Sequence, residues 1–505
     1  MNRIYLIFIS LLFSITCMTT HGQQTAQSYR LTLDDVIQIA KEQSPQAIQA
    51  RHTFRASYFS FMSYKATFLP KLTLTSRPTT WDKSIRTIQS VNDKGEVTTR
   101  EARGNTFTST AGLALSQNIG FTGGTISLGS DFTRTQNFLQ KNSDFDTEFT
   151  TYPVRLSIIQ PLNGYNKFHW DKKIEPLEYD AAKQTYVVAM EEVSSSAVIN
   201  FFELAEWEAR LKMAEANIKN AEELYNITHG RYNIGTVAED ELLRIELRKM
   251  EATSELNSSR IQIESSRNRL RSFLGFRDNV VIELLINPET PDFQVPYDDA
   301  LNLALTRNPN IISYNISILQ AEQQVALAKS QNGITLDLNA SFGTNKTGYT
   351  FKDAYSTPFD DSEGIGLRIT VPILDWSQSK NRVRRAQSNL EVAEARVQQQ
   401  ETTFRQDVYL QVMSFNMQKG QLRIAEKSDT IAQKSYDISY QRYLAGKSNV
   451  TDLHTVDTAK DNAKIKYMQE LRSFWNLYFM VRRLTLFDFQ SNKPLEEDFE
   501  KIIGD

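Results

Sequence analysis

Cysteine is almost missing from this chain: 505 residues hold one, Cys17, near the N-terminus. With no second thiol, an intrachain disulfide and a thiolate metal cluster are both excluded. Long apolar runs are also missing. After the first twenty residues none reaches the ~18 residues a membrane-spanning helix needs, although alternating β-barrel strands would escape that criterion. Neither sign of charge dominates, since 57 Lys and Arg face 60 Asp and Glu for a net charge of -3, so there is no electrostatic footprint for nucleic acid. The five histidines, His21, His52, His169, His229 and His454, show no metal-ligand spacing. Gly123-Gly124 is not followed by a Walker lysine, and no Gly-x-Ser-x-Gly elbow occurs. Carboxylates mostly sit on helical faces beside Lys or Arg, as on any solvated face. The expectation is no enzyme, no cofactor, no metal and no nucleic-acid partner.

What is present begins with an export signal at 1–22. Arg3 supplies the positive end, Ile4 to Thr16 the apolar core, and Thr20-His21-Gly22 a small-residue exit. Lipidation of Cys17 is disfavoured by its neighbours Ser14 and Thr16.

The organising feature is a duplication. Arg231-Tyr232-Asn233-Ile234-Gly235 returns 211 positions later as Arg442-Tyr443-Leu444-Ala445-Gly446, and Pro161/Pro372, Leu211/Leu422 and Tyr225/Tyr436 share that offset. Asp34-Asp35 through Ser44-Pro45 returns as Asp298-Asp299 through Asn308-Pro309, at an offset of 264. The drop between the two offsets gives copy one roughly fifty extra residues.

Copy one spans 31–276 and copy two 295–487, with a tail at 488–505. In copy one the 3.6-residue period predicts helices over 32–66, 166–229 and 237–273, with a kink or break at Pro45. Copy two repeats them over 298–331, 376–440 and 450–485. Leu204, Leu211, Ile218 and Tyr225 recur every seven residues, the seam of helices packed side by side. A helix of ~65 residues is on the order of 100 Å long, and each pair of shorter helices nearly sums to one long one. A rod with a β part at one end is expected. Period-two alternation predicts strands near 68–77 and 150–161, and near 334–341 and 364–372. Leu113, Leu115 and Ile119, then Gly123-Gly124, then Ile126, Leu128 and Phe132 predict an extra hairpin over 107–135. The polar stretches 92–105 and 142–147 read as solvated loops.

Taken together, these residues resemble the TolC family of outer-membrane efflux proteins. The carriers are the Leu-Asp-Asp opening of copy one (Leu33 to Asp35) with its Tyr-Asp-Asp counterpart in copy two (Tyr297 to Asp299), Phe68-Leu69-Pro70, Gln160-Pro161-Leu162, Val371-Pro372-Ile373-Leu374 and the two Arg-Tyr-x-x-Gly tips. The resemblance covers about 31–487. It implies a mainly α fold with a membrane β-barrel part, in which three copies close a 12-stranded barrel continued by a 12-helix periplasmic tunnel. It further implies an outer-membrane location in a Gram-negative cell, a periplasmic adaptor and an inner-membrane transporter as partners, and a passive exit duct for small molecules.

The resemblance also implies site residues. Tyr443 matches the tyrosine of the family's gate and Asp452 the first acid of its constriction ring. The second acid's position is Thr455 and the gate arginine's is Ser448, so this gate is expected to be looser, or to use Lys447 in the arginine's place. The tips Gly235, Thr236 and Val237, and Gly446, Lys447 and Ser448, are the implied adaptor contacts. The hairpin 107–135 departs from the family pattern; it either joins the barrel wall or stands above the membrane, and the second is expected. Two other readings stay open: the outer-membrane component of type I protein secretion, and a secreted coiled-coil scaffold of the envelope.

Overall fold

The computed structural model describes residues 27–91, 97–138, 147–276, 280–287 and 289–504. The signal segment and Cys17 lie outside the described residues. Copy one runs β1 (Gln27–Leu31), α1 (Leu33–Gln43), α2 (Pro45–Ala66), β2 (Lys71–Val91), β3 (Val97–Ile119), β4 (Gly124–Asn137), β5 (Thr147–Pro161), α3 (Lys167–Asn233), α4 (Glu239–Leu274) and β6 (Val280–Leu284). Copy two runs α5 (Tyr297–Arg307), α6 (Pro309–Ser330), β7 (Thr335–Gly348), the single turn α7 (Phe351–Ala354), β8 (Asp360–Thr370), α8 (Gln378–Leu444) and α9 (Val450–Thr485). After it come β9 (Phe487–Asp488), β10 (Lys493–Pro494) and α10 (Phe499–Gly504).

The duplication is residue-exact in helix length. α1 and α5 have 11 residues each, α2 and α6 22, α3 and α8 67, α4 and α9 36. Local chemistry sets these ends. Thr32 and Asp35 form a capping box, the Asp35 amide donating to the Thr32 hydroxyl at 3.2 Å and the Thr32 amide to the Asp35 carboxylate at 2.9 Å. The chain breaks at Ser44, whose hydroxyl accepts from the Ala47 amide, and Pro45 starts α2 where a missing N–H costs nothing. Asn308 and Pro309 repeat this before α6.

The chain divides into two compact units. A strand-bearing unit holds Thr53–Thr185, Leu305–Gln406 and the last residues from Asp498. A hairpin unit holds the rest, including both helix tips.

In the strand-bearing unit six strands form one antiparallel sheet in the order β2-β3-β4-β5-β7-β8. Directly paired residues share a face, and the faces differ sharply. One carries Leu72, Leu115, Leu128, Leu156 and Phe342 as a row across five strands, with Leu338–Leu367 and Leu336–Ile369 beside it. The other carries Ser116, Ser127, Ser157 and Ser341 as an unbroken row, and the Arg155–Asp131 ion pair. This corrects the placement expected for 107–135: it is not a separate surface feature but two strands of the six-stranded sheet, with the same apolar and polar faces as their neighbours. Within the stretch 92–105 the loop expectation is corrected for Val97 to Asn105, which pairs with Val91 to Lys83, while 92–96, like 142–146, lie outside the described residues. Alternation alone reports that a segment is a strand, not which strand it pairs with.

The helices of this unit follow the same order. Phe61 of α2 stacks on Tyr179 of α3 at 4.6 Å. Ile174 and Ala181 of α3 pack on Ile316 of α6, and Val325 and Ala328 of α6 pack on Ala386 of α8.

In the hairpin unit β1 and β6 pair in parallel, Gln27 opposite Val280; neither strand was among those expected from the sequence. The buried Glu191 carboxylate binds Lys41 at 3.1 Å and Arg482 at 2.8 Å, tying α1, α3 and α9 together. Helix α8 is unusual in having two apolar seams. Val408, Phe415, Leu422, Tyr436 and Tyr443 are buried within the chain, while Leu410, Met417, Ile424, Ile431 and Ile438, on the opposite side of the helix, are exposed.

Candidate functional site

Both helical hairpins turn the same way. Gly235 and Gly446 take φ of 75° and 70°, the left-handed region that glycine enters without a Cβ clash. Each returns its N–H to the carbonyl three residues back, Gly235 to Tyr232 and Gly446 to Tyr443, both at 2.9 Å. The next amide reaches the arginine carbonyl, Thr236 to Arg231 at 3.0 Å and Lys447 to Arg442 at 2.9 Å, a Schellman closure. The residues offered to the exterior are Gly235, Thr236, Gly446 and Lys447, with Val237 and Ser448 half-buried.

The two tip tyrosines diverge. Tyr232 is 39% exposed, whereas Tyr443 is 1% exposed and packs with Leu224, Ile245, Tyr436, Val450 and Leu453 from all four helices. Its hydroxyl lies 3.0 Å from that of buried Thr228 on α3 and donates to Glu241 of α4 at 3.5 Å. The Arg231 guanidinium sits 5.9 Å from its ring and donates to the Leu444 carbonyl at 2.9 Å. Burial pushes the Tyr443 hydroxyl up from its ordinary pKa, so it stays protonated and able to donate. Tyr443 therefore joins the two hairpins at their tips.

Asp452 stands apart from this cluster. It is exposed in the first turn of α9, where its amide donates to Asn449 at 2.8 Å and its carboxylate accepts from Ser448 at 3.4 Å. No hydrogen bond among the described residues joins it to Tyr443. Thr455 turns its hydroxyl back to the Thr451 carbonyl. Lys447 makes no ion pair among the described residues, so within one chain it does not take the place of the arginine that Ser448 lacks.

Sequence reasoning missed the partners. Arg231 was visible in the repeated tip motif, but nothing in its copy marked Thr228 or Glu241. Also missed was a polar belt further along the same four helices. Arg248 of α4 pairs with Asp457 of α9, which is 6% exposed and also accepts from Lys460 at 2.8 Å. Lys460 sits 4.1 Å over the Tyr436 ring, whose hydroxyl accepts from Asn220 at 3.0 Å. Asn217 donates to Asp461 at 2.7 Å. Arg248, Asn217, Asp457 and Asp461 line a polar cleft of about 430 Å³. These groups hold helices together; among the described residues no cluster of metal-binding side chains occurs.

Comparison with known proteins places the fold. Residues 300–473 match the family model described as outer membrane efflux protein. Outer membrane protein TolC of Escherichia coli is 24% identical over 244 residues, 47% of this chain and 50% of that protein. Toxin and drug export protein A of Aggregatibacter actinomycetemcomitans is 20% identical over 303 residues, 57% of this chain and 64% of that protein. The chain thus spans about half to two thirds of the length of these relatives. The crystal structure of the Campylobacter jejuni CmeC outer membrane channel superposes with a TM-score of 0.64 at 18% identity, covering 94% of this chain and 88% of that one. That likeness fixes the fold. On these matches residues 300–473 resemble the outer membrane efflux protein family, and the chain has the fold of the CmeC outer membrane channel.

Proposed function

We propose that the chain is the exit duct of a tripartite exporter, in which three copies form one channel through the outer membrane and across the periplasm for small-molecule efflux. The observation that carries this reading is the second seam of α8. A heptad row of Leu410, Met417, Ile424, Ile431 and Ile438, exposed on the side of the helix away from its buried seam, needs a covering helix. The complementary row is on α4, where Leu243, Leu247, Met250 and Ile261 are exposed at the same kind of spacing. A row on one edge of the hairpin unit and its complement on another are what a ring of identical copies requires. The apolar face of the sheet is the lipid-facing band and its serine face the lumen.

The duct does no chemistry of its own, and energy comes from an inner-membrane transporter reached through a periplasmic adaptor at the tips, Gly235 to Val237 and Gly446 to Ser448. Tyr443 with Thr228, Glu241 and Arg231 holds the periplasmic end closed, and Asp452 of three copies forms an acidic, cation-attracting ring.

A photo-crosslinker placed at Lys447 in living cells tests this. Capture of an adaptor, and of the transporter bound to it, is the expected result. A transporter that carries small molecules fits the efflux reading, and one that carries polypeptides turns it into type I secretion. Capture of unrelated envelope proteins alone overturns the duct.

A further inference from the structure

We infer that the membrane wall built by this chain has eighteen strands, six from each of three copies, and that it closes by antiparallel pairing of β8 of one copy with β2 of the next. The inference rests on the trimeric reading above but concerns a surface that reading leaves undefined, the two edges of the sheet.

Three observations converge. First, direction: the six strands alternate along the sheet, all pairs being antiparallel, so β2 at one edge and β8 at the other run in opposite directions. Copies set edge to edge therefore continue the pattern, whatever their number. Second, face: Leu72 and Leu74 of β2 and Ile365, Leu367 and Ile369 of β8 are all exposed and lie on the one apolar face. Level ends put Lys71 beside Thr370 of the neighbour, which sets Leu72 opposite Ile369 and Leu74 opposite Leu367. A slip of one residue would turn one set into the lumen, so only this register or one shifted by two fits. Third, width: α2, α3, α6 and α8 stand in a row of four in the same unit. At ~10 Å per helix they occupy ~40 Å, and six strands ~4.8 Å apart, tilted by ~40°, occupy about 37 Å. The six-stranded sheet thus fits the width of its own row of helices. Unpaired edges in lipid would leave a row of N–H and C=O groups without partners, which closure removes.

The chain is suited to a direct test because no cysteine follows Cys17. Leu74→Cys is combined in turn with Ile365→Cys, Leu367→Cys and Ile369→Cys, and oxidised in intact outer membranes. One of these pairs is expected to give a covalent trimer on a denaturing gel. Within one chain, Leu115→Cys with Leu128→Cys and Leu128→Cys with Leu156→Cys are expected to close. Native mass spectrometry of the detergent-extracted complex counts copies independently. Three copies with none of the β2–β8 pairs linked, or with Leu74→Cys linking to Leu156→Cys or Ile158→Cys of β5, overturns the eighteen-strand wall and leaves the trimer standing. A copy number other than three overturns the trimeric reading itself, and the strand count with it.

Discussion

The hydroxyl groups of Tyr443 and Thr228 lie 3.0 Å apart, joining the second helical hairpin to the first at a point where both side chains are buried. Removing that hydroxyl takes from the buried Thr228 hydroxyl its partner on Tyr443. Tyr443→Phe is expected to cost about 1–2 kcal/mol and to raise the frequency and duration of channel opening in a planar bilayer. Thr228→Val on top of it should add much less than it costs alone, because both remove one bond. Full additivity would show that the two groups act separately.

Arg248 and Asp457 offer a second tie between hairpins. Breaking it by Arg248→Met leaves Asp457 with Lys460 alone, and is expected to cost about 2–4 kcal/mol, somewhat below the loss for a fully orphaned buried charge. Hydrogen exchange in α9 should rise around Asp457. The double change Arg248→Met with Asp457→Leu should recover part of the loss, and a double mutant worse than the single one would contradict the ion-pair account.

The exposed seam of α8 separates folding from assembly. Ile424→Glu or Ile431→Glu changes a side chain that is exposed in one chain, so the fold of the single chain should shift by less than about 0.5 kcal/mol. In the assembly the same charge would be buried without a partner. The expected outcome on native gels is helical, membrane-inserted chains that fail to form trimers; normal trimers would show that this seam is not an interface.

Much of this was legible in the sequence, and what was not has a definite physical reason. The constant offset between Arg231 and Arg442 announced two matching hairpins, and Pro45 marked the break in copy one because proline inside a helix loses a bond; the single helix expected over 298–331 breaks at the matching Pro309. The strands at Leu113–Ile119 and Ile126–Phe132 were visible as alternation. Their place in the sheet was not, because pairing with β2 and β5 is decided across the sheet rather than along the chain. At the tips, Tyr232 and Tyr443 sit in the same motif, yet one is exposed and one buried. Only the packing of α4 and α9 distinguishes them. The pairs Tyr443–Glu241 and Arg248–Asp457 join residues about two hundred positions apart, with no local pattern to mark either.

Asp488 ties the segment after α9 to that helix, and its acid response has a definite sign. Burial pushes its carboxyl up, but hydrogen bonding from Tyr478 and the Arg482 guanidinium outweigh that and hold it below the usual range. A depressed carboxylate stabilises the fold fully above its unfolded value of ~3.9. That contribution is lost as pH falls through the lower folded value. Protection of residues 487–495 from hydrogen exchange should therefore hold down to about pH 4 and decline below it. Asp488→Asn should be less protected at neutral pH and lack that decline.

Single-channel recording of the purified protein in planar bilayers tests the central claim most directly. A duct held shut at its tips predicts small, cation-preferring conductance steps, with the preference weakened by Asp452→Ala and the open time lengthened by Tyr443→Phe. Membrane-inserted protein that passes no ions, with Tyr443→Phe as silent as the native chain, would contradict the account.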